Sequence, residues 1–72
     1  MTEKKVTIFG KDDCPYTIGA REDYTGRGLS VEYINVEKDP QAMKRMLVLS
    51  SGRREVPVIV EDGRVIVGFG GT

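Results

Sequence analysis

The 72-residue chain contains no histidine and only one cysteine, Cys14. The absence of histidine excludes a catalytic pair built on imidazole and most zinc sites. A single cysteine excludes an internal disulfide, so this small domain has no covalent staple. Eleven basic residues balance eleven acidic ones, which argues against a nucleic-acid-binding surface.

The chain also lacks a long apolar run. Its apolar stretches are far too short to span a bilayer. Residues 1–5 are charged and lead into a predicted strand, unlike the apolar core of a signal peptide. We therefore expect a soluble protein without membrane partners, located in the reducing cytoplasm, where a free thiol is stable.

The order of predicted elements is β-α-β-α-β-β. Strands are predicted at residues 6–9, 31–36, 56–60 and 65–67, and helices at 15–27 and from residue 40 to a stop at Gly52. Asp62-Gly63 predicts the turn of a terminal hairpin. Strands that alternate with helices favour a parallel pair, to which the hairpin adds an antiparallel edge. The sequence thus predicts an α/β fold in a single domain, residues 1–72, with a four-stranded mixed sheet and helices packed on it.

Both predicted helices begin with proline, which is favoured at the first helical position. Asp39 is a suitable N-cap for the second helix. Ile18, Ala20 and Tyr24 are predicted to form the inward stripe of the first helix. The apolar face of the second helix is predicted to consist of Ala42, Met43, Met46, Leu47 and Leu49.

Cys14 stands between the first predicted strand and the first predicted helix, directly before Pro15. A residue in this position faces unpaired backbone N–H groups and the positive end of the helix dipole. Lys11 is a nearby cation. These influences favour the thiolate, which is the reactive form of cysteine. Since open α/β sheets bind ligands at the carboxyl ends of their strands, Cys14 is the candidate reactive residue.

Three segments make the chain similar to a glutaredoxin of the thioredoxin-fold superfamily. Residues 11–16, KDDCPY, resemble the opening of the family's active site, and residues 55–57, EVP, resemble its Thr-Val-Pro segment. Residues 68–71, GFGG, resemble the glycine pair after the last strand. The chain is most similar to small prokaryotic glutaredoxin-like proteins of the UXX-star type. It departs from the family pattern at Thr17, which replaces the second cysteine, and in lacking the C-terminal helix after residue 72.

The resemblance implies a thioredoxin-like fold and a single-cysteine thiol–disulfide oxidoreductase that reduces glutathione mixed disulfides. Cys14 is then catalytic, glutathione is the co-substrate, and no cofactor is tightly bound. The resemblance also implies a cis bond before Pro57. The supporting residues are Pro15, Tyr16, Thr17 and Pro57. The expected glutathione contacts are Lys11, Tyr16, Arg54 (favoured over Arg53), Val56, Pro57, Gly70, Gly71 and Thr72.

Two alternatives remain open. In the first alternative, Cys14 would be the protein ligand of each subunit in a dimer that holds a [2Fe–2S] cluster together with two glutathiones. Pro15-Tyr16 argues against it, because the usual carriers of such a cluster have the active-site sequence Cys-Gly-Phe-Ser. The other alternative is a redox-inactive module that binds a protein partner. A monomer is favoured over a dimer.

Overall fold

The computed structural model describes residues 4–69 of the chain. It has four strands and two helices in the predicted order. They are β1 (Lys5–Gly10), α1 (Pro15–Gly26), β2 (Ser30–Asn35), α2 (Pro40–Leu49), β3 (Val58–Glu61) and β4 (Arg64–Val67).

The strands form one mixed sheet in the order β2-β1-β3-β4. β1 pairs with β2 in parallel and with β3 antiparallel. β4 adds an antiparallel edge next to β3. The predicted sheet is therefore confirmed, with its parallel pair and its terminal hairpin.

The core has two halves because alternate side chains of β1 point to opposite faces of the sheet. On one face, Val6 and Ile8 pack with Ala20 and Tyr24 of α1. On the other face, Phe9 packs with residues of α2, which include Met46. The two helices consequently cover opposite faces.

α1 buries a different stripe from the predicted one. Ala20 and Tyr24 are buried as expected, but Ile18 is 40% exposed and the prediction for it is wrong. Thr17 is buried instead, because residues 17, 20 and 24 follow the spacing of one helical face. Leu49, predicted on the apolar face of α2, is 37% exposed and is therefore not part of the core.

The turns and helix starts follow local rules. The Asp39 carboxylate accepts hydrogen bonds from the backbone N–H groups of Gln41 and Ala42 at the start of α2. Asp62 and Gly63 both have positive φ angles, 53° and 80°, as the predicted two-residue hairpin turn requires.

β3 begins at Val58, two residues later than predicted. The residue before it is Pro57, which has no backbone N–H to donate to a sheet. Neither helix of the described region is long and apolar enough to cross a membrane.

Candidate active site

Three strand ends meet at one edge of the sheet. Gly10, the last residue of β1, is in register with Asn35, the last residue of β2. Phe9 is in register with Val58, the first residue of β3. The loop at residues 11–14 and the segment that ends at Pro57 therefore both lie at this edge, where open α/β sheets bind ligands.

Cys14 is the N-cap residue of α1, as predicted. Its backbone is extended, with φ −88° and ψ 118°, and its carbonyl accepts the first helical hydrogen bond, from Ile18 N at 3.0 Å. Cys14 N donates to Lys11 O at 3.3 Å across the preceding turn. The side chain is partly exposed, so the sulfur is both held at the helix start and open to reagents.

The pKa of the Cys14 thiol is lowered from its ordinary value. Partial burial alone raises this pKa, but it is outweighed by hydrogen bonding with Thr17, by the backbone N–H groups of Thr17 and Tyr16, and by the charge of Lys11. The thiol itself makes no capping hydrogen bond. Because a charged sulfur is a much stronger acceptor than a neutral one, these donors act mainly on the thiolate.

Thr17 lies one helical turn after Cys14 and is fully buried. Its Oγ1 has no hydrogen-bond partner within residues 4–69. The side chain is pressed against the backbone of Gly10: a Cβ added to Gly10 would lie 2.5 Å from both Thr17 Oγ1 and Thr17 Cγ2. The Thr17 hydroxyl is therefore fixed in place and available to the sulfur once the sulfur is ionised.

The Val56–Pro57 peptide bond is cis, as the resemblance implied. Pro57 is buried and Val56 is partly buried. Gly68 N donates to Pro57 O at 2.7 Å, which brings the chain after β4 to the same edge of the sheet. The predicted contacts Gly70, Gly71 and Thr72 lie outside the described residues.

The remaining predicted contact residues are accessible. The Tyr16 side chain is 43% exposed on the first turn of α1, beside Pro15, which is also exposed. Arg53 forms a bidentate pair with Glu55, with its two nitrogens 2.6 and 3.0 Å from the carboxylate oxygens. Arg54 is exposed, and among residues 4–69 no ion pair engages it. The choice of Arg54 over Arg53 as a partner for a glutathione carboxylate stays a prediction.

Sequence reasoning missed a polar network beside Cys14. Tyr33 Oη donates to Asp12 Oδ1 at 2.8 Å, and Lys38 Nζ lies 3.6 Å from Asp12 Oδ2. The pKa of Asp12 is lowered, first by the Tyr33 hydroxyl, against some desolvation, and then by Asn35 and Lys38. Burial, followed by the hydrogen bond to Asp12, raises the pKa of Tyr33 to about 12. Tyr33 and Asp12 are 21 positions apart in the chain, so no local pattern in the sequence predicted their hydrogen bond.

Within residues 4–69 no group of three or more potential metal-binding side chains comes together. The chemistry that the described site offers is that of one partly exposed sulfur, flanked by hydrogen-bond donors and a lysine.

Solved structures with the same fold include glutaredoxins from several sources. Glutaredoxin from Archaeoglobus fulgidus superposes with a TM-score of 0.80 at 22% identity, over 93% of this chain and 77% of its own. NrdH-redoxin from Escherichia coli, described as glutaredoxin-like with a thioredoxin-like activity profile, gives 0.78 at 27% identity, over 92% and 84%. A buckwheat glutaredoxin–glutathione complex gives 0.73 at 24% identity, over 90% and 61%.

This fold, with a thiol at the start of its first helix, defines a thioredoxin-fold redox protein. The sequence profile of the Glutaredoxin family matches residues 6–66. The chain therefore belongs to the glutaredoxin family. No significant match was found among curated protein sequences.

Proposed function

We propose that the protein is a single-cysteine, glutathione-dependent thiol–disulfide oxidoreductase that reduces glutathione mixed disulfides. The observation that carries the proposal is Cys14 at the N-cap of α1, partly exposed and with a lowered pKa. The thiolate is the attacking species in disulfide exchange, so a lowered pKa of the thiol raises the fraction of Cys14 that can react at a given pH.

The reaction proceeds in two exchanges. The Cys14 thiolate attacks the glutathione sulfur of a mixed disulfide, the old S–S bond breaks, and the other thiol leaves and takes up a proton. A second glutathione thiolate then attacks the glutathione sulfur of the Cys14 mixed disulfide. Oxidised glutathione leaves and the Cys14 thiolate is regenerated. The net reaction converts the mixed disulfide and one glutathione thiol into a free thiol and oxidised glutathione.

The residue at position 17 supports a one-thiol mechanism. Thr17 occupies the place of a second active-site cysteine, and its hydroxyl cannot form a disulfide. The mixed disulfide on Cys14 must therefore be released by an external thiol. This distinguishes the proposal from a reaction that depends on an internal disulfide.

Glutathione is the proposed co-substrate because the charge of Lys11 acts on the sulfur and the segment that ends at Pro57 lies at the same edge of the sheet. Lys11 and Arg54 are candidate partners for its carboxylates. The exposed Tyr16 side chain is a candidate to line one side of the glutathione groove. The backbone of Val56, before cis Pro57, is a candidate for pairing with the peptide part of glutathione. We also propose the residues Gly70, Gly71 and Thr72 as contacts. A buckwheat glutaredoxin with the same fold forms a complex with glutathione.

We further propose that the protein works as a monomer, without a tightly bound cofactor, in the cytoplasm. A reducing compartment supplies the glutathione that the second exchange consumes.

The test is turnover of a cysteine–glutathione mixed disulfide, with wild-type protein compared with Cys14→Ser. We expect glutathione-dependent turnover by the wild type and only the uncatalysed background with the variant. Equal rates would contradict the proposal. Turnover that needs a dithiol such as dithiothreitol and fails with glutathione would retain Cys14 as the nucleophile and reject glutathione as the co-substrate.

A further inference from the structure

The carboxylate of Asp12 stands two residues before Cys14, in the loop between β1 and α1. It is held from the side of β2. Tyr33 Oη donates to one of its oxygens at 2.8 Å, and Lys38 Nζ lies 3.6 Å from the other. Both partners belong to β2 or to the segment that follows it, so they hold the carboxylate toward that side of the loop.

Tyr33 is itself fixed in place. Its ring is partly buried and packs against the core cluster that contains Ile8 and Ala20. The Arg21 guanidinium of α1 covers the ring, with its carbon 4.0 Å from the ring centroid. The position of the hydroxyl is therefore set by β2 and α1 together, not by the exposed loop that it contacts.

The position of the Asp12 charge matters for the proposed substrate. Glutathione and its disulfides carry carboxylates, so a nearby negative charge slows their approach to Cys14. Lys11, the cation of this loop, favours the charged form of Cys14. An Asp12 carboxylate that is free to turn toward the sulfur would offset the charge of Lys11.

We propose that Tyr33 is a positioning residue that makes the Cys14 site accept anionic disulfides. Its hydrogen bond holds the Asp12 carboxylate toward Lys38 and away from the approach to the sulfur. This inference rests on the proposed function for its substrate class, but its geometry involves only residues of the chain itself.

The test compares the alkylation of Cys14 by anionic iodoacetate and by neutral iodoacetamide at low ionic strength. Each reagent forms a carbon–sulfur bond with the thiolate and releases iodide. The fraction of Cys14 that is ionised cancels in the ratio of the two rate constants, so the ratio reports the charge near the sulfur. A change of side-chain packing alone does not favour one sign of charge.

We expect Tyr33→Phe to lower the iodoacetate-to-iodoacetamide ratio by about two- to threefold, since the released carboxylate then repels the anion. The phenylalanine keeps the ring against the core and Arg21. Adding Asp12→Asn to Tyr33→Phe should return the ratio to the wild-type value or above it. In the wild-type background, Asp12→Asn should change the ratio much less.

Asp13→Asn is the matched control, because it removes the neighbouring carboxylate, which Tyr33 does not contact. Its effect on the ratio should be the same with and without the Tyr33 hydroxyl. An unchanged ratio in Tyr33→Phe would overturn the inference. So would a lowered ratio that Asp12→Asn fails to restore.

The measurement needs no glutathione, so it is independent of the turnover test. If the ratio behaves as expected and turnover is absent, the positioning role of Tyr33 stands and the proposed function fails. If turnover is present and the ratio is unchanged in Tyr33→Phe, the proposed function stands and the positioning role of Tyr33 fails.

Discussion

Thr17 combines complete burial with a hydroxyl that has no partner within residues 4–69. An unpaired buried hydroxyl costs about 1–3 kcal/mol. Hydrogen bonding with Thr17 lowers the pKa of Cys14, so the cost is offset when the sulfur is charged. Thr17 therefore destabilises the protein while Cys14 is neutral and favours the ionised form of Cys14.

The pH dependence follows from the sign of this shift. A group whose pKa is lowered in the folded state stabilises the fold fully above its unfolded pKa, and the contribution is lost as the pH falls through the folded pKa. Cys14 is such a group. Ionisation of Cys14 therefore stabilises the protein in mildly alkaline solution and not in acid.

Thr17→Val removes the hydroxyl and keeps the shape of the side chain. We expect the pKa of Cys14 to rise relative to the wild type. Alkylation by iodoacetamide at pH 7 should slow by roughly two- to tenfold, which corresponds to the net free energy of one hydrogen bond. The two rates should converge at high pH, where both thiols are ionised. The measurement is the alkylation rate as a function of pH.

Thr17→Ser is the control for that experiment, since it retains the hydroxyl and loses only a methyl group. It should titrate closer to the wild type than Thr17→Val does. Identical titration curves for the valine and serine variants would show that the hydroxyl has no part in ionising Cys14.

At the scale of elements, the site depends on how closely α1 approaches the end of β1. Gly10 ends β1 and is buried, and the Thr17 side chain lies against its Cα. There is no room for a methyl group between them. The absence of a side chain at Gly10 therefore allows the first turn of α1, with Cys14 at its start, to sit directly on the sheet.

Gly10→Ala should destabilise the protein by about 1–3 kcal/mol, because its methyl group meets the stiff, buried Thr17 side chain. Displacement of this turn should also slow alkylation of Cys14. Urea denaturation measures the first effect. Combining Gly10→Ala with Thr17→Ala should recover part of the lost stability, and strictly additive losses would contradict the contact.

The matched control is Gly26→Ala at the end of α1, where an added Cβ meets nothing within 4 Å. Since alanine is favoured over glycine in a helix by roughly 0.5–1 kcal/mol, this variant should be slightly more stable than the wild type. It should leave the reactivity of Cys14 unchanged.

At the scale of the whole molecule, the sheet divides a small core into two halves, each covered by one helix. α2 covers its half with Ala42 and Met46, whereas Val48, on the same helix, is 81% exposed. Such a domain has little surplus stability. The loss of one fully buried side chain should therefore take a large part of it.

Met46→Ala should lower the free energy of unfolding by about 2–5 kcal/mol, since it leaves a cavity between α2 and the sheet. Val48→Ala, two residues away, should change it by no more than about 0.5 kcal/mol. Urea denaturation of the two variants measures the difference. Equal losses would mean that α2 presents a different face to the sheet.

Short-range features of the sequence were enough to predict the order of helices and strands and the position of Cys14 at a helix start. Proline at the start of each helix, the Asp39 cap and the Asp62-Gly63 turn act through residues a few positions apart. The cap position of Cys14 follows from the same short-range rules. The cis bond before Pro57 was predicted from the family resemblance alone.

Only the tertiary structure decided which side chains the site brings together. Thr17 is buried and Ile18 exposed because the rotation of α1 on the sheet is set by packing, which hydrophobicity alone does not reveal. Tyr33 reaches Asp12 across 21 positions of the chain, because β2 lies beside β1 in parallel register. The sequence by itself determined a cysteine at a helix start, while long-range packing determined the groups that surround its sulfur.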